Sequence, residues 1–274
     1  MTQEAPAQRV RPKPAFRFVD VKRVNRLSTN LVRVTFAGPD FEGFTPHGPA
    51  EHIRVWFPNE GESRPRIPEW GQNGFVLAEG EERPVNRVYT PRRFDAEALE
   101  LDVDFVLHEG AHGPGSSWAS SAKVGDTVVV TGPGGPYRVD ETAEWFVIAG
   151  DHAALPAIGT ILETLPATAT AHVYLEVPGE DDEIRLESPA PFELTWLHSE
   201  RGSAVGSVLA ETLKELELPE GDGRVFVACE ATIMRDVKKH LLFERNLPRE
   251  KIHTHGYWQV GEENHPDHDL GQEI

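Results

Sequence analysis

Sulfur is scarce in this chain: one cysteine, Cys229, and two methionines among 274 residues. A lone cysteine forms no internal disulfide and cannot supply the thiolates of an ordinary iron–sulfur cluster. Long apolar runs are absent too, and none reaches the roughly 18–20 residues that cross a bilayer as a helix. The first residues, MTQEAPAQRVRPKPAFRF, carry charge and proline and contain no apolar stretch of the signal-peptide kind. Positive charge is short, with 27 Lys and Arg against 45 Asp and Glu and a net charge of −18. That balance argues against nucleic acid as a partner, because phosphate binding requires clustered Lys and Arg. No strand runs into a Gly-x-Gly-x-x-Gly, so the standard dinucleotide fingerprint is missing. His253 and His255 share one side of a strand, but no further ligand stands at a fixed spacing. They read as solvated or hydrogen-bonded histidines, and no metal site is expected. The expectation is a monomeric cytoplasmic protein without membrane insertion.

What is present divides into two halves. Residues 1–140 hold 17 Lys and Arg against 19 Asp and Glu, whereas residues 141–274 hold 10 against 26. Texture changes at the same place. LVRVTFAG at 31–38, HIRVWFP at 52–58, LELDVDFVLH at 99–108 and DTVVVTGPGG at 126–135 read as short strands closed by Gly or Pro. Such strands with little helix between them predict an antiparallel barrel. Residues 58–86 are polar and rich in Gly and Pro, and predict a long loop with room for a hairpin. From about residue 140, strands EWFVIAGD, AHVYLEV, FELTWLH, RVFVACE and KIHTHGYW alternate with helical segments such as ALPAIGTILETL and TIMRDVKKHLLFER. That rhythm predicts βαβ units on a parallel sheet, with ligands beyond the carboxyl ends of the strands.

Two segments carry chemistry. In Arg87-Val88-Tyr89-Thr90, alternation along a strand sends Arg87 and Tyr89 one way and Val88 and Thr90 the other. An Arg beside a Tyr suits a phosphate oxygen and a flat ring, and the Thr hydroxyl suits a ring nitrogen; an exposed strand with polar decoration is the plain alternative. In His112-Gly113-Pro114-Gly115-Ser116-Ser117-Trp118, glycines and serines at the start of a short helix present N–H groups to an anion, as at pyrophosphate sites. Trp118 is then either a wall for the ligand or a core residue.

In order, the two segments resemble the flavin-binding barrel of the ferredoxin reductase superfamily. The fuller resemblance is to the siderophore-interacting protein family of ferric-siderophore reductases. It runs through HIRVWFP, RVYTPRRF, LDVDFVLHEGAHGPGSSWA, VGDTVVVTGPGGPY, FVIAGDHAALPAIGTILETLP, FVACEATIMRDVKKHL and HGYWQVGEENHPDHD. The resemblance implies a six-stranded antiparallel FAD-binding barrel over residues 16–139, a Rossmann-like NAD(P)H-binding domain over 140–262 and a tail over 263–274. It implies that Arg87, Val88, Tyr89 and Thr90 hold the flavin and ribityl-phosphate region. Asp104, Val106 and His108 line the flavin on this reading, and Gly113, Pro114, Ser116, Ser117 and Trp118 take the pyrophosphate. Asp151, Ala153 and Pro156 stand where the second domain meets the cofactor. Cys229, Glu230, Arg235 and Trp258 fall to the nicotinamide nucleotide. Arg54, Arg92 and Arg138 fall to an anionic substrate. The chain departs from the family pattern at Cys229, where a Gly is usual, at His152, and at Gly134 and Gln259, where the family carries Arg. Arg235, Lys238 and Lys239 share one helix face and suit either a 2′-phosphate or the helix dipole, so NADH and NADPH both remain open. The implied activity is electron transfer from NAD(P)H or a ferredoxin through FAD to a ferric siderophore. The alternatives are a general flavin or diaphorase-type reductase and a non-catalytic siderophore-binding flavoprotein. No side chain is assigned as a catalytic acid or base.

Overall fold

The computed structural model describes residues 13–71, 74–76, 84–107, 113–199, 206–263, 265–266 and 269–271. In chain order the first half contains β1 (Arg17–Arg26), β2 (Leu31–Ala37), β3 (His52–Trp56), β4 (Glu69–Gly71), β5 (Gly74–Val76), β6 (Asn86–Tyr89), β7 (Pro91–Asp95), β8 (Glu100–Val106), helix α1 (Pro114–Ser121) and β9 (Thr127–Gly134). β4 and β5 form the hairpin for which the Gly/Pro-rich loop leaves room. The sequence reading contains no strand at β1, because the charges of its outer face mask two inward valines. Val19 and Val21 are buried while Asp20, Lys22 and Arg23 face solvent.

Seven of these strands form one antiparallel sheet in the order β6-β3-β9-β1-β2-β8-β7. The end strands β6 and β7 are consecutive in the chain and separated only by Thr90. Chain continuity through Thr90 brings the two ends of this order together and curls the sheet into a barrel-like form. Six strands are expected from the sequence and seven are counted, because the stretch over 86–95 breaks where it changes partners. β6 pairs with β3 and β7 with β8, and Pro91 at the break has no N–H to give to a ladder. The barrel is filled by Phe36, Phe41, Ile53, Phe57, Leu101 and Phe105, each essentially inaccessible.

The second half contains β10 (Trp145–Asp151), α2 (Leu155–Leu162), β11 (Thr170–Val177), β12 (Phe192–His198), α3 (Ser207–Glu215), β13 (Gly223–Glu230), α4 (Ala231–Lys239) and β14 (Ile252–Trp258). Its sheet runs β12-β11-β10-β13-β14 and every pairing is parallel. The strand order reverses between β10 and β13, so the crevice at the carboxyl end of β10 is where such a sheet takes ligands. Gly150 stands there for a steric reason. A Cβ at that position would lie 2.6 Å from the Ala228 carbonyl oxygen and 2.7 Å from the Ala154 Cβ. α2 buries Leu155, Ile158, Ile161 and Leu162, in agreement with the helical spacing read from sequence.

The two sheets share a continuous apolar core. Leu31 and Tyr137 from the barrel side pack with Ile148, Leu155 and Phe226. Polar contacts reinforce the junction. Asp182, almost fully buried, accepts hydrogen bonds from the Ser28 hydroxyl at 2.7 Å, the Asn30 backbone N–H at 2.7 Å and the Asn30 side-chain amide at 2.8 Å. Arg92 forks onto the Glu163 carboxylate at 2.5 and 3.1 Å. Among the described residues, no helix is long and apolar enough to cross a membrane.

Candidate functional site

A cleft of about 310 Å³ opens where the barrel meets the carboxyl edge of the parallel sheet. From the barrel it is lined by Arg87, Val88, Tyr89 and Thr90, by Asp104 and Val106 of β8, and by Gly113, Gly115 and Ser116 at the start of α1. From the other side come Ala153 and Pro156 beside α2, and residues 255–258 of β14. Alternation alone sends Arg87 and Tyr89 away from Val88 and Thr90. All four reach the cleft because β6 ends the sheet order and both its faces border the opening.

Each barrel side chain is held by its neighbours. The Tyr89 ring lies 4.4 Å from Phe105 and its burial pushes the phenol up, so it stays a neutral hydroxyl. That hydroxyl sits against Gly115, where a Cβ would come within 1.9 Å of it. The Arg87 guanidinium is half-buried and donates to the Asn86 carbonyl at 2.8 Å. It has no carboxylate at ion-pair distance among the described residues, and burial lowers its pKa despite attraction from Tyr89 and Glu263. A cation desolvated in this way gains when an anion docks beside it. Helix α1 begins at Gly113 with no side chain capping its N-terminus and Pro114 in its first turn, the arrangement that receives phosphate. Asp104 is tied to Arg33 by a two-point contact at 2.6 and 2.8 Å, which leaves it a fixed wall element.

β14 supplies the opposite wall through an irregularity. Cys229 pairs with Gly256, but Glu230 pairs with Trp258, so Tyr257 is an extra residue in the ladder. A bulge of this kind re-aims side chains that regular alternation would separate, and both Tyr257 and Trp258 line the cleft. Tyr257 is hydrogen-bonded to Thr90, and burial raises its phenol pKa. The sequence reading names Trp258 alone from this block, and a bulge leaves no trace in residue spacing. Gly115, Glu51, His52 and His255 are also lining residues beyond those expected. Gly115 was legible in principle as the second glycine of Gly-Pro-Gly.

Other expected site residues stand elsewhere. Trp118 turns into the barrel core, with its ring 5.1 Å from Phe57 and 5.7 Å from Phe105. Pro114 and Ser117 belong to α1 but not to the cleft lining. His108 lies outside the described residues. Cys229 is fully buried among Val227, Met234 and Val237, and burial pushes its thiol well up. Glu230 caps α4, its carboxylate accepting from the N–H groups of Thr232 at 2.6 Å and Ile233 at 3.0 Å. Arg235 pairs with Asp269 at 2.5 Å, and Lys238 donates to the carbonyls of Leu270 and Gly271. Two members of the basic face are thus engaged by the C-terminal segment, which docks there. Arg92 is committed to Glu163, Arg54 donates to the Asn86 side chain at 2.8 Å, and Arg138 is exposed outside the lining.

Asp151 lies directly behind the cleft, buried at the end of β10. Its Oδ1 accepts from Ala153 N–H at 3.0 Å and Ala154 N–H at 3.3 Å, and its Oδ2 from Glu230 N–H at 2.9 Å and Trp258 Nε1–H at 2.7 Å. Burial outweighs these donors and pushes the carboxyl up to about 6 from its ordinary 3.8. A carboxyl raised on folding stabilises the fold below its unfolded pKa and loses that contribution as pH rises through the folded value. The swing is about 3 kcal/mol. In urea unfolding, wild type is therefore expected to lose about 2 kcal/mol of this relative to Asp151→Asn between pH 4 and pH 7. An unchanged difference across that range would mean that the carboxyl titrates at its ordinary value.

Comparison with known proteins follows the same division. The siderophore-interacting FAD-binding domain matches residues 20–137, and the siderophore-interacting protein domain matches residues 143–261. The chain belongs to the siderophore-interacting protein family. Within it, the chain is 36% identical over 255 residues to the ferric vibriobactin reductase ViuB of Vibrio cholerae, covering 92% of this chain and 93% of that protein. It is 31% identical over 257 residues to the NADPH-dependent ferric-chelate reductase of Escherichia coli, covering 92% and 96%. A siderophore utilization protein from T. fusca superposes with a TM-score of 0.83 at 34% identity, over 94% of this chain and 98% of that one. Beyond the family, a ferredoxin NADP+ reductase from Neisseria gonorrhoeae shares the fold, with a TM-score of 0.62 at 14% identity over 90% of this chain and all of that one.

Proposed function

We propose that this protein is an FAD-dependent ferric-siderophore reductase that draws electrons from NAD(P)H, or from a ferredoxin, and releases iron as Fe(II). The observation that carries the reading is the single cleft in which β6 and the uncapped start of α1 face α2 and the end of β14. The residues fit FAD. Arg87 and the first turn of α1 would hold the pyrophosphate, Tyr89 and Thr90 the flavin and ribityl region, and Asp104 and Val106 the wall behind the ring. Ala153, Pro156 and Trp258 would bound the side open to the electron donor.

FAD, when bound, takes up two electrons as hydride and passes them on singly, which suits a one-electron acceptor such as Fe(III). The hard oxygen ligands of a siderophore prefer Fe(III), and each tenfold of that preference lowers the iron potential by about 59 mV. Iron once reduced is bound far less tightly and leaves, so the chain needs no ligand of its own to the metal. The protein's part is to bind, orient and shield: Arg87 offsets anionic charge, and the Tyr257–Thr90 contact joins the two walls. The barrel would occupy residues 16–139 and the donor-binding unit 140–262, a division supported by the change of sheet between β9 and β10. Residues 263–274 would be a tail, of which Asp269–Gly271 engage α4. The protein would act as a monomer in the cytoplasm, where NAD(P)H is available.

Anaerobic reduction of the purified protein tests this. A yellow protein that bleaches with NADPH or NADH and regains colour with a ferric siderophore is expected. Reoxidation by dyes but by no ferric siderophore would replace the reading with a general reductase. A colourless protein that cannot be reconstituted with FAD would remove both.

A further inference from the structure

Trp258 presents its ring to the cleft, but its orientation is set from behind. Its indole N–H donates to Asp151 Oδ2 at 2.7 Å, and Asp151 is not itself a lining residue. The neighbouring Tyr257 is anchored in the opposite sense, to Thr90 on the barrel. The bulge that lets both rings reach the cleft falls between these two anchors. An isolated cap on the helix that follows β10 would need only one carboxylate oxygen. Oδ1 serves the turn that leads into α2, accepting from Ala153 and Ala154, and Oδ2 is committed to Trp258 and to the Glu230 N–H.

We infer that Asp151 is a positioning residue that fixes Trp258 in the wall of the cleft, so that donor and acceptor meet a surface set by a carboxylate touching neither. The inference rests on the reading of the cleft as the site of reaction. Four N–H groups converge on Asp151, and only an ionised carboxylate offers acceptors to all of them. An asparagine there turns an N–H₂ group towards one pair of donors, and either the Ala153–Ala154 turn or the Trp258 contact must open. Protonation of the carboxyl does the same on a smaller scale. Other groups face Asp151 from the adjoining strands. Cys229 and Tyr257 are acids whose burial keeps them neutral in this range, and the Glu230 carboxylate is occupied by its own helix cap. His152 follows it in the chain, and His255 and His265 line the cleft. All three are retained when Asp151 is replaced, so Asp151→Asn separates their effect from that of the carboxyl.

The test is a double-mutant cycle on the FAD-loaded protein with Asp151→Asn, Trp258→Phe and the pair, using NADPH and a ferric trihydroxamate. Each single variant is expected to raise KM for NADPH or for the chelate about tenfold with a smaller change in kcat, and the pair to be no worse than either single. A second readout needs no turnover: the fluorescence of wild type minus that of Trp258→Phe, followed against pH. It is expected to shift with a midpoint near 6 and to lose that shift when both proteins carry Asp151→Asn. A protein without reductase activity but with this transition would refute the functional reading and leave the positioning role standing. Effects on KM that add fully, or a fluorescence difference indifferent to Asp151→Asn, would overturn the inference. Should Asp151→Asn not fold, KM followed against pH decides: wild type is expected to show a step near pH 6 that Trp258→Phe lacks, and a step kept by Trp258→Phe would overturn the inference.

Discussion

Gly115→Val is expected to give a folded protein that does not retain flavin. The first added carbon would already lie 1.9 Å from the Tyr89 hydroxyl oxygen, 3.1 Å from its Cζ and 3.6 Å from Phe57. Tyr89 has nowhere to retreat. Its ring is packed against Phe105 and Phe57, and the next residue, Thr90, is tied to Tyr257. The helix start must lift away instead, carrying with it the N–H groups that face the cleft. Overpacking of this kind costs about 1–3 kcal/mol of stability, which a chain of this size withstands. Flavin affinity is expected to fall about 100-fold on the proposed reading, in which Arg87 and the α1 N-terminus hold one anion between them. The ratio of flavin to protein absorbance and a titration of the apoprotein with FAD measure the effect. The pair Gly115→Ala with Tyr89→Phe should recover part of the affinity, since the hydroxyl that collides is gone. Full retention of flavin by Gly115→Val would show that the close approach of α1 to β6 is unimportant for the cofactor.

Asp182→Ala should loosen the junction between the two sheets. Three donors converge on this carboxylate from the turn between β1 and β2, at 2.7, 2.7 and 2.8 Å. Burial raises the carboxyl pKa, but the donors from Asn30 and Ser28 outweigh it and the net shift is downward. Removing the acceptor leaves three half-buried N–H and O–H groups without that partner, at a cost of about 1–3 kcal/mol. The damage falls on the relation between barrel and parallel sheet more than on either core. Hydrogen exchange is expected to rise first at residues 27–31 and 179–183, and ferric reduction to fall several-fold through kcat. Asp182→Asn keeps one acceptor oxygen and should be intermediate. Unchanged exchange at this turn would place the strength of the junction in the apolar contacts of Leu31 and Tyr137 alone.

Much of this protein was legible in its residues. The parallel half could be read strand by strand, because fully buried strands such as β10 are continuous apolar runs and α2 repeats its leucines and isoleucines at helical spacing. Two cleft-lining segments, Arg87–Thr90 and the start of α1 at Gly113–Ser116, could be picked out because their residue types stand out locally. Local pattern alone, however, underdetermined the site. β1 was hidden by the charges of its solvent face, and the split of the 86–95 strand followed from its two partners, β3 and β8.

The side chains whose use depends on a neighbour far along the chain could only be assigned in three dimensions. Arg92, Arg235 and Lys238 look free in sequence, yet Glu163, Asp269 and the carbonyls of Leu270 and Gly271 claim them. Trp118 is either wall or core until Phe57 and Phe105 are seen around it. Sequence by itself determined the two-part architecture, the family and the strand at Arg87–Thr90 that lines the cleft, because periodicity and local motifs are properties of adjacent residues. Tertiary structure alone decided that β14 bulges at Tyr257 and that Asp151 holds Trp258, because a hydrogen bond spanning 107 residues has no local signature.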